Sequence, residues 1–345
     1  MSAAGPAQDA NSASCSTAAK PQARGKHTRG PVLLSLGSLN VDFRARVDHW
    51  PAPGESRPAR DVAAVAGGRA GNVAAVARRL GIACTLLGRV GLDRHADVAL
   101  DPLVTAGVDV SRVIRTADAR TGAGLVIVGP HGDKTMLFAD NANQGWTDDD
   151  VTGVEAAVHA VDARSVLVAD LDIPAHVVEA AARACRARGV RVVLDPSRPQ
   201  AMRDDLYALC DCITPDAHEA STLAGCSTAS PHDALRAARR LRECGARYAC
   251  VKLADGGCVV AEEAEALRLV PPRVAAIDKT GAGDAFAGAL ATGLLERRPM
   301  REAARIAVAA ACIAVMREGS QASYPDRRKI DAMLPSIRAE RMDED

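Results

Sequence analysis

Aromatic residues make up only 2% of this 345-residue chain: three Phe, three Tyr and two Trp. So sparse a set offers no platform on which the bases of a single-stranded nucleic acid stack. An excess of either charge is missing too, since Lys+Arg and Asp+Glu both number 43. Without a basic field, a nucleic-acid backbone has no electrostatic partner here. No apolar run approaches the ~20 residues that a membrane-spanning helix needs. The ten cysteines follow no paired spacing, Cys210-x-Cys212 being the nearest to a cluster, and the eight histidines are scattered. That pattern argues against a zinc site and for mostly buried, reduced thiols in a cytoplasmic protein. The Gly-Lys-Ser/Thr triplet of a P-loop occurs nowhere.

What is present reads as a compact α/β enzyme. Residues 1–29 carry Ala, Ser, Gln and Pro with scattered basic residues and no apolar period. They are expected to form a disordered extension, with neither an apolar signal core nor an amphipathic face. From residue 32 onward, short apolar runs at 32–36, 84–90, 166–171, 191–194 and 248–253 read as strands buried on both faces. Apolar residues at helix spacing over 72–80, 175–188 and 233–244 lie between them, with Gly81 and Gly189 placed as C-terminal stops. The alternation predicts a mostly parallel sheet with helices on both faces, and a site at the strand C-termini. Two stretches break the pattern, 43–66 and 112–140, and read as hairpin pieces.

Residues 278–288, Asp-Lys-Thr-Gly-Ala-Gly-Asp-Ala-Phe-Ala-Gly, are the most informative in the chain. Gly281, Ala282 and Gly283 form a turn that opens a helix, where free N–H groups and the helix dipole favour an anion. Asp284 stands at the same spot, and a carboxylate repels a resident phosphate. The pairing suits a phosphoryl group in transit, with Asp284 taking the proton of an attacking hydroxyl. Phe286 occupies the place of the third glycine in a dinucleotide fingerprint, so that reading fails on spelling. A plain helix cap is the bland alternative for Asp284. Asn40 and Asp42, two apart on a strand, face one way, and an amide with a carboxylate suits vicinal sugar hydroxyls. Gly67, Gly68 and Asn72 read equally well as a close approach to a sugar ring or as a turn and its cap.

The stretch Asp278-x-Thr280-Gly281-Ala282-Gly283-Asp284 resembles the C-terminal signature of the ribokinase-like (PfkB) sugar and nucleoside kinases. Gly37 to Asp42 with Pro53-Gly54-Glu55, and Gly67 to Ala74 ending at Leu80-Gly81, resemble earlier family signatures. Thr214-Pro215-Asp216-x-x-Glu219 and Gly319 to Pro325 resemble two more, in the family's order, over roughly 31–335. The resemblance implies a three-layer αβα kinase domain over 30–340, with 43–66 and 112–140 forming a small β lid in which Phe43 and Phe138 pack. It implies ATP and a small sugar, ribose first, phosphorylated on a primary hydroxyl. Nucleosides of the adenosine or pseudouridine type and ketose sugars are alternative acceptors. A non-catalytic sugar or nucleotide sensor is the remote alternative.

By resemblance, Asn40, Asp42, Gly67, Gly68, Asn72 and Asp172 bind substrate, with Asp284 as base and the Gly281–Ala282–Gly283 backbone as anion hole. Lys252 and Gly257 resemble nucleotide-side positions. Asp216 and Glu219 resemble the motif that organises Mg2+ through water. Asp278, Thr280, Gly319 and Ser323 match positions that line a monovalent-cation site in the family's ribokinases, so K+ is also expected. Five departures stand out: Asp216 for Asn, Asp172 for Glu, Ala254 for Gly, Arg69-Ala70-Gly71 for Lys-Gly-Ala, and Lys279 as a competing charge beside Asp278. A homodimer formed through the lids is a further implication.

Overall fold

The computed structural model describes residues 30–130 and 134–343; the extension expected over 1–29 lies outside the described residues. The first strand, β1 (Leu33–Leu36), is followed by β2 (Asn40–Arg46) and β3 (Asp61–Gly67). After α1 (Arg69–Arg79) come β4 (Cys84–Leu87), β5 (Arg89–Gly91), α2 (Arg94–Thr105), β6 (Ile114–Thr116), β7 (Gly122–Val128) and β8 (Lys134–Ala139). Next are α3 (Asp148–His159), β9 (Val166–Asp170), α4 (Ala175–Arg188), β10 (Arg191–Asp195), α5 (Asp204–Tyr207) and β11 (Cys212–Ile213). Then follow α6 (Ala217–Ala224), α7 (Pro231–Glu243), β12 (Tyr248–Lys252), β13 (Cys258–Ala261) and β14 (Ala266–Val270). The chain closes with α8 (Ala282–Leu295), α9 (Met300–Ala314), α10 (Arg327–Met333) and β15 (Arg338–Arg341).

Nine strands make one sheet in the order β15-β14-β13-β12-β11-β10-β9-β1-β4. Neighbours from β12 to β4 run parallel, and the β12–β15 edge is antiparallel. Alternate strand residues enter opposite layers. Leu33, Val166, Val168 and Cys250 pack with α1, α8 and α9. Leu34, Leu36, Leu167 and Leu194 meet α3 and α4, and α7 covers Ile213, Ala249 and Val251 further along that face. Burial on both sides explains why these strands are nearly continuous apolar runs. α4 spans 175–188 as its pattern predicts, and Gly189 ends it in the left-handed conformation at φ +72°. Small residues along α8 let it lie close to its neighbours: a Cβ on Gly293 would come 2.8 Å from Ala303.

Strand order reverses between β1 and β9, because the chain moves from β1 outward to β4 and later from β9 outward to β12. In open α/β sheets, ligands bind at such a switch point, outside the strand C-termini. Asp170 seals this point: its carboxylate accepts the N–H of Ser38 at 3.1 Å and of Asp172 at 2.9 Å.

A separate four-stranded sheet, in the order β3-β2-β7-β8, stands beside this end of the molecule. Its bounds differ from the expected pieces: the first half begins at Asn40 and runs to Gly67, while β6 pairs with β5 in a third, two-stranded sheet. The 84–90 run also divides, into β4 and β5, at Gly88. There a Cβ would lie 2.6 Å from Leu39, so the chain turns where it passes that side chain. Phe43 meets His95 of α2 edge-on, with ring centroids 5.3 Å apart, whereas Phe138 is exposed on the opposite face of the small sheet.

Candidate active site

α8 starts from Gly281, whose left-handed conformation (φ +74°) glycine alone adopts without strain. A Cβ there would also lie 2.4 Å from the Tyr324 hydroxyl, which donates to the Gly281 carbonyl at 3.2 Å. Gly281, Ala282, Gly283 and Asp284 all line one cleft of about 660 Å³. The first N–H groups of a helix lack partners within it, so this turn presents donors and a positive dipole end to the cleft.

Asp284 is buried, and the Asn72 amide donates to its Oδ2 at 2.7 Å. Arg69 Nη1 lies 3.8 Å from its other oxygen. Burial raises the Asp284 pKa above the ordinary carboxylate value; Arg69, the Asn72 hydrogen bond and Lys252 oppose the shift, while Asp195 adds to it. The group is thus a buried carboxylate held among cations, a setting suited to a general base.

Across the cleft, β2 turns Asn40 and Asp42 to the same side. Gly67 and Gly124 flank Asp42, and a Cβ on either would run into its carboxylate, at 2.2 and 2.4 Å. The paired glycines therefore make room for the acid. Its Oδ1 is buried with no hydrogen-bond partner among the described residues, and burial, then the charge of Asp284, pushes its pKa up to about 6. An orphaned carboxylate oxygen in a cleft is suited to a ligand hydroxyl. Asn40 is oriented by Asn143, whose amide nitrogen donates to Asn40 Oδ1 at 2.8 Å while its oxygen accepts the Leu39 N–H at 3.0 Å.

Asp172, expected to bind substrate, lines the cleft and is held between two arginines. Arg69 Nε lies 3.1 Å from one of its oxygens and Arg198 Nε 3.2 Å from the other. Arg198 also pairs with Asp140 at 2.9 Å through Nη1. The shorter acid is thus clamped between two guanidinium groups. Burial works against the charge on Arg69, but Asp195, Asp172 and Asp284 outweigh it and hold its pKa well above the usual value.

Asp216 and Glu219 cap α6 reciprocally: Asp216 Oδ1 accepts the Glu219 N–H at 2.8 Å, and Glu219 Oε2 accepts the Asp216 N–H at 2.7 Å. Each keeps a second oxygen, and both residues line the cleft. Burial, then the nearby Asp195, pushes Glu219 up to about 7. Asp195 ends β10, buried, with no hydrogen bond to either carboxylate oxygen. Its Oδ2 faces Lys252 Nζ at 3.5 Å and Arg69 Nη1 at 3.6 Å. Lys252, expected on the nucleotide side, also stands beside the turn, its Nζ 3.4 Å from where a Cβ on Gly283 would be. Gly257 lines the cleft near Leu253. Among the described residues, no three His, Cys, Asp or Glu side chains converge closely enough to hold a metal ion by themselves, so a divalent cation beside Asp216 and Glu219 would need water or phosphate oxygens as further ligands.

Asp278, Gly319 and Ser323 lie outside the cleft, behind the turn, while Thr280 lines it. Asp278 accepts the N–H and hydroxyl of Thr280 at 2.9 and 2.7 Å and the N–H of Gly319 at 2.9 Å. Ser323 directs its hydroxyl to the Ser320 carbonyl at 2.7 Å. Arg44 Nη1 lies 3.7 Å from Asp278 Oδ2, and Lys134 donates to Thr280 Oγ1 at 2.8 Å. Both Asp278 oxygens thus already accept hydrogen bonds, with Arg44 beside one of them.

The site therefore gathers most of the expected residues at one cleft, but Gly67 acts from behind Asp42. Asp195, Asn143, Arg198 and Lys134 were not anticipated. Asp195 had a signal, an acid closing an apolar run at a strand C-terminus. Lys134 had none, because only the strand register brings it to Thr280.

Residues 32–327 match the family model described as pfkB family carbohydrate kinase. The chain belongs to that family. It is an ATP-dependent phosphotransferase with an alcohol group as acceptor. The kinase is 31% identical to the ribokinase of Haemophilus influenzae over 298 residues, covering 86% of this chain and 96% of the relative. It is 30% identical to the Staphylococcus aureus ribokinase, over 85% of this chain and 96% of the relative. In solved structures it resembles Arabidopsis thaliana ribokinase complexed with ribose and ATP, at a TM-score of 0.78 and 27% identity, covering 88% of this chain and 99% of that one. Among the described residues, no helix is long and apolar enough to cross a membrane.

Proposed function

We propose that this kinase transfers the γ-phosphoryl group of ATP to a primary hydroxyl of a small sugar, ribose first. The observation that carries this is Asp284, buried at the helix N-terminus, held by Asn72 and sharing one cleft with Asp42, whose Oδ1 has no hydrogen-bond partner among the described residues. A sugar hydroxyl hardly ionises near neutral pH, so Asp284 accepts its proton as the new bond to phosphorus forms. Asn40 and Asp42 orient the acceptor through its hydroxyls. The N–H groups of Gly281, Ala282 and Gly283 donate to the transferring phosphoryl oxygens, and the Lys252 ammonium stands next to them. The loop around Gly257 contributes to the nucleotide side.

Mg2+ would be held by the free oxygens of Asp216 and Glu219, through water, with Asp195 as an additional acid. When bound, it supplies positive charge that offsets the phosphates and relieves the crowding of these carboxylates.

A second reading, a nucleoside or ketose acceptor, draws support from the Arg69–Asp172–Arg198 arrangement. Guanidinium planes at the acceptor end offer donors and a stacking surface to more than one kind of ring. The test is ADP release with Mg2+ against ribose, fructose, other small sugars, adenosine, uridine and pseudouridine. The highest kcat/KM on ribose supports the first reading; on a nucleoside or fructose, the second. Silence across the panel, with ATP or sugar still bound, turns the reading to a sensor.

The outer face of the small sheet exposes Val62, Leu125 and Leu137, supporting its role as a lid that pairs with a second copy of the chain. Sedimentation velocity would detect that dimer. A cytoplasmic location agrees with nine free cysteines among the described residues.

A further inference from the structure

Around Asp278 the positive charge is already built into the protein. Its Oδ1 is occupied by the Thr280 N–H and hydroxyl, and its Oδ2 takes the Gly319 N–H. Beside Oδ2 stands Arg44 Nη1, at 3.7 Å, and the other nitrogen of the same guanidinium is 3.7 Å from Glu318. A Cβ on Gly319 would lie 3.7 Å from Arg44 Nη1, so the guanidinium reaches over both loops at once. Lys134 approaches from the other side through Thr280 Oγ1. Burial works against the Asp278 charge, yet the Thr280 and Gly319 donors and the charge of Lys134 win, and its pKa lies below the usual value. Lys279, the charge expected to compete here, lines the main cleft.

We propose that Arg44, backed by Lys134, supplies the positive charge that a monovalent cation would bring behind the Gly281–Asp284 turn. The kinase then needs no potassium. A free cation entering this place would meet a guanidinium and an ammonium at close range, and its oxygen ligands would first have to release their hydrogen bonds. Arg44 comes from β2, two residues beyond Asp42, and Lys134 from β8 of the same small sheet. The element that orients the acceptor therefore also delivers charge to the transfer turn. This consequence rests on the kinase reading, but its first test does not.

That test compares thermal melting of the full chain in potassium chloride and in choline chloride at equal ionic strength. The expected result is the same midpoint in both. A rise specific to potassium overturns the proposal, whatever the acceptor proves to be. ADP release is then compared in the two salts with the best acceptor. Wild type should turn over equally, whereas Arg44→Gln should gain potassium activation of about tenfold, a usual size for coupling between two sites. Arg46→Gln, which removes only a partner of Glu318, should stay indifferent to the salt. Potassium activation of the wild type, or an equal response in the Arg46 variant, rejects the assignment to Arg44. Absence of turnover in both salts with every acceptor counts against the kinase reading alone, since melting still decides the cation question.

Discussion

At one end of the cleft, four consecutive residues, Gly281 to Asp284, place the proposed donors and the proposed base on one turn. At the acceptor end, Asn40 and Asp42 come from β2, Arg69 from the start of α1, Asp172 from the end of β9 and Arg198 from beyond β10. The first arrangement depends on backbone geometry, which a glycine at φ +74° secures locally. The second depends on side chains brought together by ion pairs, Arg69–Asp172 at 3.1 Å and Arg198–Asp172 at 3.2 Å. Chemistry common to many alcohol kinases needs only the first. On the proposed reading, choice of acceptor lies with the second, where the length of an acid such as Asp172 sets where its paired arginines sit.

The contrast predicts unequal damage from equal-sized substitutions. Asp284→Asn should lower kcat by roughly 10²–10⁴-fold, the usual effect of losing a general base. ADP affinity, measured by calorimetry, should remain near the wild-type value. A kcat within a few-fold of wild type would remove Asp284 as the base and dissolve the distinction between the two ends.

Asp172→Ala should act more gently, raising the acceptor KM by about tenfold while leaving the ATP KM in place. The variant removes one ion pair from each arginine, leaving Arg198 on Asp140 and Arg69 beside Asp195 and Asp284. If kcat fell instead and the acceptor KM held, Arg69 would belong to the transfer end through its contact with Asp284.

The smallest effect concerns stability and has the opposite sign. Burial, then the charge of Asp284, pushes the Asp42 pKa from the ordinary 3.8 up to about 6, so the folded chain holds this proton over a range where the unfolded chain has lost it. The stability linked to that proton is present below pH 4 and is lost as pH rises through 6. Asp42→Asn should thus leave the free protein unchanged in stability near pH 4 and stabilise it above pH 6, by about 1–3 kcal/mol. Acceptor binding should weaken in the same variant. Denaturant melts at the two pH values check this. A variant less stable at pH 8 would mean that the carboxylate is not strained in the empty cleft.

Much of this was legible in the amino-acid sequence because the signals are local. The apolar runs of the buried parallel strands, the 175–188 helix stopped by Gly189 and the Gly-Ala-Gly-Asp turn each carry their meaning within a few residues. The division of the 84–90 run was hidden, since Gly88 turns against Leu39, which is far away in sequence. Lys134 and Arg44 were hidden for a similar reason: strand register in the small sheet decides which loop they meet. Asp195 stood in view at a strand end, yet its burial and its ion pairs with Lys252 and Arg69 depend on the tertiary fold.

By itself, the sequence determined the layered α/β architecture, the position of the Gly-Ala-Gly-Asp turn and the residue we propose as its base. Periodicity, glycine conformation and helix ends act over one or two turns of chain, so they survive translation into one dimension. Tertiary structure alone decided that Asp172 is clamped, that Asp195 joins the acidic cluster and that two cations of the small sheet stand at Asp278. Ion pairs between distant segments depend on separations of a few ångströms, and no spacing along the chain encodes those.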